Sequence, residues 1–234
     1  MYSTSNGISL LVCFTIMACS HSGNPKKISG KQDHVAKTVV RKDIHDVGDG
    51  AGLDLQELYA VNRDAVFLIY TLDGEKYQQG SGFFITEDGT AVSNYHIFEG
   101  TYKGKKVIKL LSGKEHQIDE VITSNKESDF IVFKVKESTA EKFPFVTISN
   151  RPPAVGQLVF AIGNPKGLES TLSTGILSSL RKNENLIQTT VDITNGSSGG
   201  PLFDMKGDVI GITSSGMGEA NLNFAIDIRV LKLK

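Results

Sequence analysis

Cysteine is scarce in this chain of 234 residues, which contains only Cys13 and Cys19, both near the N-terminus. The rest of the chain therefore has no thiols for a disulfide or for a thiolate metal site. Tryptophan is absent, and the net charge is only −1. A near-neutral chain shows no sign of the basic surface that nucleic-acid binding requires. We expect a body held by packing and backbone pairing, without a nucleic-acid partner.

The apolar run at residues 8–18 is too short to span a bilayer comfortably but has the length of a signal-peptide core. It leads into "IMAC", which ends at Cys19. An aliphatic residue three positions before a cysteine, with a small residue directly before it, resembles a bacterial lipoprotein cleavage box. The sequence thus predicts a signal over 1–19 and a lipid anchor at Cys19. Because no Lys or Arg precedes the run, a plain secretory signal or a buried segment stays open.

Residues 20–53 are polar and predict a flexible tether, and residues 54–234 predict the folded domain. Asp54 is placed to cap a short helix that runs through Asn62. Short apolar runs then recur about every ten residues between turn signals, which is typical of an all-β sandwich or barrel. The segment "EKFPFVTISNRPPAVGQ" interrupts this pattern and predicts a connection between two lobes, at about 64–140 and 155–231.

The stretch "TNGSSGGPLFD" contains three glycines and two serines between two apolar, strand-like runs. Glycine-rich stretches are usually ordinary loops. A sharp glycine bend between strands, however, can present a hydroxyl and backbone N–H groups toward one point, as acyl transfer requires. A serine hydroxyl also needs a base. His96 follows a strand-like run, and Asp129 heads a strongly apolar one, although a histidine or carboxylate in such a place is often only structural.

The order His96, Asp129, Ser198 supplies the base, orienting carboxylate and nucleophile of a serine hydrolase. "GSGFFITEDGTAVSNYHIFEG", "SDFIVFKV", "AIGNPKGLESTLSTGILSSLR", "IQTTVDITNGSSGGPLFDMKGDVIGI" and "NFAIDI" together resemble the trypsin-like serine peptidases of the bacterial HtrA/Deg group. The resemblance runs from about residue 55 to 230. It implies an all-β fold of two six-stranded antiparallel β-barrels, with the site in the cleft between them.

The resemblance also implies roles for single residues. His96, Asp129 and Ser198 would form the catalytic triad, and the N–H groups of Gly196 and Ser198 would form the oxyanion hole. The spacing to "GGP" selects Ser198 rather than Ser197 as the nucleophile. Further residues would bind substrate or support the triad: Ser214, which would hydrogen-bond Asp129, and Ser215 and Gly216, whose backbone would pair with substrate as an added strand.

Asp192 lies six residues before Ser198, where trypsin-like peptidases have the floor of the pocket for the substrate residue before the cut. A desolvated carboxylate there favours Arg or Lys. The Deg group usually has a small apolar residue and prefers aliphatic side chains. Asn223 falls where trypsin has glycine, so its side chain would fill the pocket floor or hydrogen-bond Asp192, and a differently shaped loop would turn Asp192 to solvent. Basic and small aliphatic preferences both stay open.

We therefore predict a serine endopeptidase of the bacterial envelope that acts on polypeptides, without metal or cofactor. The chain ends at Lys234 directly after the peptidase body, so regulation by a C-terminal PDZ domain is not expected. Ser197 stands where digestive relatives have aspartate, which excludes their zymogen salt bridge. Relatives are often trimers, but no residue pattern here specifies an oligomer. The alternatives are a pseudoprotease that binds peptides and a host-facing surface lipoprotein.

Overall fold

The computed structural model describes residues 53–101, 104–136, 142–164, 170–214 and 222–232. The predicted signal, tether and Cys19 lie outside these residues, as do Ser215 and Gly216. The regular elements of the described part are helix α1 (Leu55–Asn62), three 3₁₀ turns (Arg63–Ala65, Tyr95–Phe98 and Ile228–Leu231) and strands β1 (Val66–Asp73), β2 (Lys76–Phe84), β3 (Thr90–Ser93), β4 (Lys105–Lys109), β5 (Glu115–Asn125), β6 (Phe130–Val135), β7 (Thr147–Ile148), β8 (Leu158–Gly163), β9 (Thr171–Arg181), β10 (Leu186–Thr189), β11 (Pro201–Asp204), β12 (Asp208–Ser214) and β13 (Asn223–Asp227).

Helix α1 begins and ends where the sequence predicts. Asp54 accepts a hydrogen bond from the backbone of Glu57 at 2.9 Å, and Glu57 accepts one from the backbone of Asp54 at 2.9 Å. This reciprocal capping box satisfies two N–H groups that the first turn leaves unpaired. The helix buries Leu58 against the core. The predicted cap and helix are confirmed.

Strands β1 to β6 close into an antiparallel barrel in the order β1-β2-β3-β6-β5-β4. Its interior is filled by large apolar side chains at alternate strand positions, among them Phe67, Ile69, Phe84, Ile108 and Phe133. Alternation of this kind is what a closed sheet requires, since every second side chain points inward.

Strands β8 to β13 form the second barrel, in the order β11-β8-β9-β10-β13-β12, and pairing of β11 with β12 closes it. The predicted all-β fold with two six-stranded antiparallel barrels is therefore confirmed. The sequence does not predict β7, a two-residue strand that pairs in parallel with β12. A third apolar cluster lies between the barrels and joins residues of both, including Phe83, Phe130, Phe160 and Phe203.

The connection between the barrels is hydrogen-bonded to both of them. Phe143 and Val146 donate backbone hydrogen bonds to Glu87 and Phe84 of the first barrel, each at 2.9 Å. Ser149 donates to Val209 of β12, also at 2.9 Å. The Arg151 guanidinium then contacts the carboxylates of two second-barrel residues, Asp204 at 2.9 Å and Asp208 at 3.0 Å.

His116 stands among polar residues in the sequence, but its side chain is buried in the first barrel. It is only 7% exposed, and its ring meets that of Phe143 edge-on, with the centroids 5.2 Å apart. Its neighbours are polar, but its place in β5 directs its side chain inward.

Within the part of the chain that the structure describes, no helix is both long and apolar enough to cross a membrane. The same residues contain no cluster of His, Cys, Asp and Glu that suits a metal ion.

Candidate active site

Strand register in the first barrel brings His96 next to Asp129. Ser93 at the end of β3 pairs with Ile131 of β6, so the residues just after β3 lie beside those just before β6. Nδ1 of His96 lies 2.8 Å from Oδ2 of Asp129. The backbone N–H of His96 donates to the other carboxylate oxygen, Oδ1, at 2.9 Å. The carboxylate therefore fixes both the ring and the backbone of the histidine.

Asp129 adopts a left-handed backbone conformation, with φ of 49°. Aspartate tolerates this region better than most residues, but it still requires support. The support comes from the residues before His96: the Asn94 side-chain amide donates to the Asp129 carbonyl at 2.9 Å, and Tyr95 N–H donates to it at 3.3 Å. The carboxylate also accepts a hydrogen bond from the hydroxyl of Ser214 at 3.3 Å.

The two side chains of this pair differ in exposure. The Asp129 side chain is 12% exposed, whereas the His96 side chain is 40% exposed. A carboxylate buried in this way requires donors, and three reach it here. The His96 ring, in contrast, remains partly accessible, which leaves room for a reacting group beside it.

Ser198 lies in the glycine-rich turn between Val191 and β11. Gly196 and Gly199 adopt positive φ angles of 97° and 85°, which glycine reaches without steric cost. The turn is closed by backbone hydrogen bonds from Ser197 to Thr194 at 2.9 Å and from Gly200 to Ser197 at 3.1 Å. The predicted bend is therefore present.

The Ser198 turn packs against the first barrel close to His96. Ser198 is 2% exposed, and its carbonyl accepts a hydrogen bond from the backbone of Ser81 at 2.7 Å. At Gly199, a Cβ atom would collide with the Ser81 carbonyl and the Ser93 hydroxyl, and would lie 3.1 Å from the backbone nitrogen of Asn94. The turn thus contacts the segment that leads into His96.

Asp192 is exposed, and its backbone N–H donates to the hydroxyl of Ser173 at 3.1 Å. With Thr194, Ser197 and Thr213 it lines a cavity of about 140 Å³ beside the turn that carries Ser198. Asn223 is half-buried at the start of β13, opposite Thr189, and does not line this cavity.

Three buried polar residues beside the site were missed by sequence reasoning. They are Asn94 and Ser81, both 0% exposed, and Asn164, which is 4% exposed. Each bonds to a group far away in the chain, as the Asn94 contact with Asp129 illustrates. The only sequence signal is that each stands in or directly after an otherwise apolar or glycine-rich strand segment, in "GSGFF", "AVSN" and "FAIGN".

Hydrogen bonds and burial shift the pKa values of Asp88 and Tyr70 in the first barrel. Hydrogen bonds from Lys134 and Thr86 hold the pKa of Asp88 well below its usual range, against the opposing effect of burial. Burial and a hydrogen bond to Glu115 raise the pKa of Tyr70 to about 12.

Comparison with known proteins places these features in context. The family model described as "Trypsin-like peptidase domain" matches residues 80–212. A protein of Halomonas elongata named "Probable periplasmic serine endoprotease DegP-like" is 38% identical over 168 residues, covering 67% of this chain and 34% of the relative. A protein of the same name from Chlamydia trachomatis serovar D is 36% identical, covering 63% of this chain and 31% of the relative.

A plant relative and a solved structure extend the comparison. "Protease Do-like 1, chloroplastic" of Arabidopsis thaliana is 34% identical over 67% of this chain and 37% of the relative. The crystal structure of the serine endoprotease from Yersinia pestis superposes with a TM-score of 0.67 at 26% identity, covering 78% of this chain and 65% of that one. The chain spans about a third of the length of the curated relatives it matches.

Proposed function

The chain belongs to the trypsin-like peptidase domain family, and on that premise we propose that it is a serine endopeptidase acting on polypeptides through an acyl-enzyme. The observation that carries the proposal is the hydrogen-bonded pair of His96 and Asp129, on the same barrel to which Ser81 joins the turn bearing Ser198. The names of its relatives, serine endoproteases and a protease, support the same activity.

In the proposed mechanism, Oγ of Ser198 bonds to the scissile carbonyl carbon while Nε2 of His96 takes the hydroxyl proton. His96 then delivers this proton to the leaving amine as the C–N bond breaks. Water attacks the resulting ester in the second half, with His96 again as base. Asp129 holds the ring through Nδ1 and stabilises the imidazolium, as its 2.8 Å contact favours.

We assign the oxyanion hole to the backbone N–H groups of Gly196 and Ser198. These groups flank the Gly196–Ser197 peptide in a turn that the glycine φ of 97° makes accessible. Loss of one such donor typically lowers kcat by about 10²- to 10³-fold. On the substrate side, Ser214, Ser215 and Gly216 would offer backbone groups to an extended peptide.

Labelling with a fluorophosphonate probe tests this proposal. Wild type is expected to gain one probe mass, which maps to the peptide that contains Ser198. The matched variants separate the two neighbouring serines: Ser198→Ala should lose labelling, and Ser197→Ala should keep it. The opposite result would show that the register of the motif is wrong. A folded wild type that never labels would favour a peptide-binding lipoprotein without catalysis.

We further propose that the protein acts in the bacterial envelope, anchored through lipid on Cys19. Support comes from the "IMAC" box and from relatives named periplasmic. Several acyl chains hold a protein at a membrane stably, whereas one does so only marginally. Wild type should partition into detergent, Cys19→Ser should remain in the aqueous phase, and Cys13→Ser should behave as wild type. Equal partitioning of all three would refute the anchor.

A further inference from the structure

Ser81 of β2 is a buried hydroxyl that joins three separate segments of the chain. It is 0% exposed, and its hydroxyl donates to the carbonyl of Gly196 at 2.8 Å. The same hydroxyl accepts from the backbone N–H of Asn164 at 2.9 Å, with the Asn164 side-chain amide at 3.3 Å. A hydroxyl has one proton to donate and two lone pairs to accept. The one proton and both lone pairs of the Ser81 hydroxyl are therefore used by these contacts with Gly196 and Asn164.

The carbonyl that Ser81 binds belongs to the peptide between Gly196 and Ser197. The N–H of this same peptide donates to the carbonyl of Thr194 at 2.9 Å. The peptide plane is thus held at both ends, once within the turn and once by the first barrel. Because glycine offers little resistance to backbone rotation, these two hydrogen bonds determine the orientation of the peptide plane.

This peptide lies between the two N–H groups assigned to the oxyanion hole. Its orientation decides whether the Gly196 and Ser198 donors converge on one point, because a planar peptide transmits rotation from one residue to the next. A hydroxyl on the first barrel therefore sets the geometry of donors on the second.

Asn164, directly after β8, extends the same network to the residue that precedes β9. Its side-chain oxygen accepts from the backbone N–H of Ser170 at 3.0 Å. Ser170 has a left-handed φ of 56°, and its carbonyl accepts from the hydroxyl of Tyr59 in α1 at 2.8 Å. One continuous series of hydrogen bonds links α1, the start of β9, the end of β8 and the nucleophile turn.

We propose that Ser81, supported by Asn164, is a positioning residue that fixes the Gly196–Ser197 peptide and so aligns the oxyanion hole. The inference rests on the proposed peptidase function and deepens it. Removing the hydroxyl leaves the Gly196 carbonyl and the Asn164 N–H without their buried partner, so the turn is expected to rotate toward other arrangements.

The test compares Ser81→Ala with wild type in two assays that a merely structural role would not separate. The first measures kcat and KM on a fluorogenic peptide, with active sites counted by the fluorophosphonate. The second measures inhibition by a peptide boronic acid, whose tetrahedral adduct occupies the oxyanion hole, beside a cleaved-product peptide, which does not. Ser81→Ala should lose about tenfold to a hundredfold in kcat and in boronate affinity, with KM and product binding within about threefold.

Two further variants keep the test decisive. Asn164→Ala removes the side-chain amide but keeps the backbone N–H bonded to Ser81, so a smaller loss of the same kind, about threefold to tenfold, is expected. Ser149→Ala deletes a buried hydroxyl in the connection between the barrels and should leave all constants unchanged. If Ser81→Ala does not fold, Asn164→Ala alone decides.

Each outcome has a distinct meaning. A wild type that cleaves and labels, with variants whose kcat and boronate affinity match it, overturns the positioning role alone. Equal losses in boronate and product binding also overturn it, because they indicate general disruption of the cleft. A folded wild type that neither cleaves nor labels overturns the proposed peptidase function, and the inference with it.

Discussion

The two barrels build their halves of the site in different ways. In the first barrel, the pairing of β3 with β6 sets His96 beside Asp129, and the hydrogen bonds between these two residues stay within that barrel. In the second barrel, the turn carrying Ser198 depends on the opposite barrel, because Ser81 binds the carbonyls of both Gly196 and Ser198.

This difference separates the site residues that one barrel positions by itself from those whose position depends on the contact between the two barrels. Strand register is specified strongly wherever one face is buried, so the first barrel sets His96 beside Asp129, and the second barrel adds only the hydrogen bond from Ser214. The glycine-rich turn is closed by backbone hydrogen bonds of its own, and two further hydrogen bonds from Ser81 join it to the first barrel. We therefore expect a variant that disturbs the contact between the barrels to displace Ser198 before it displaces His96.

Deleting the reacting groups should have the largest effect, because it removes one half of the site outright. Ser198→Ala and His96→Ala are each expected to lower kcat by at least about 10⁴-fold, since members of a triad act as a unit. The double variant should lose little more than either single one. Steady-state kinetics on a fluorogenic peptide, with circular dichroism to verify folding, measures this. Losses that multiply would show that the two residues act independently.

Disturbing the docking alone should have the next largest effect, and Gly199→Ala does so. Gly199 and Gly113 share a φ of 85°, but a Cβ at Gly199 meets the first barrel, whereas nothing lies within 4 Å of one at Gly113. Gly113→Ala should therefore cost only the backbone strain, about 1–2 kcal/mol of unfolding free energy. Gly199→Ala should cost about 1–3 kcal/mol more through overpacking.

The activities of the same two variants sharpen the comparison. Gly199→Ala should also lower kcat/KM by at least about tenfold, as small displacements of reacting groups do, while Gly113→Ala should leave it unchanged. Urea unfolding and steady-state kinetics supply both measurements. Equal stability losses in the two variants would contradict the tight contact between the turn and the first barrel.

A smaller effect is expected from Asp192 on the second-barrel side. Its exposure weakens its attraction for a cationic substrate, since surface charges are screened by water and salt. Asp192→Asn, which removes the charge at constant size, should lower the preference for Arg over Val before the cut by less than about tenfold. The ratio of kcat/KM for paired peptides measures it. A hundredfold fall would instead indicate a desolvated carboxylate that reads the substrate directly.

The smallest predicted effect concerns Asp88 on the rim of the first barrel, where Lys134 Nζ lies 2.8 Å from its carboxylate. Its pKa in the folded protein is lowered from an ordinary value of 3.8, mainly by that hydrogen bond. The Lys134 contact therefore stabilises the fold fully at pH values above the pKa of Asp88 in the unfolded state. This stabilisation is lost as the pH falls through the pKa of Asp88 in the folded state.

Asp88→Asn should accordingly be less stable than wild type near neutral pH, by under about 1 kcal/mol because the pair is partly exposed. The gap should close as the pH falls from about 5 to about 2. Urea unfolding across this range measures it, with Asp119→Asn, an exposed residue of β5, as the control. A gap that widens in acid would contradict the sign.

Local signals in the sequence were sufficient for much of the fold. The Asp54 cap and the end of α1 at Asn62 follow from neighbouring residues, and the strands follow from alternating apolar positions. Strand β7 was missed because a two-residue parallel pairing is decided by the strand it meets, not by its own residues. The burial of His116 could not be predicted from its neighbours, because they are polar although its own position in β5 points inward.

The sequence marks candidate site residues where the chemistry requires a residue type, and it does not mark residues that matter only through their position. His96, Asp129 and Ser198 are residue types that acyl transfer requires, in a recognisable order. Ser81 is one serine among many, and its partners Asn164 and Gly196 lie 83 and 115 residues away. No local pattern specifies contacts over such separations, because they arise only when both barrels have formed and docked.

In the described part of the connection between the barrels, Phe143 and Val146 are hydrogen-bonded to Glu87 and Phe84 on one side, Ser149 to Val209 on the other, and Arg151 contacts two carboxylates. Residues 143–151 are therefore attached to both barrels at once. Unfolding of either barrel would break one set of these contacts, so the connection couples the stability of the two barrels.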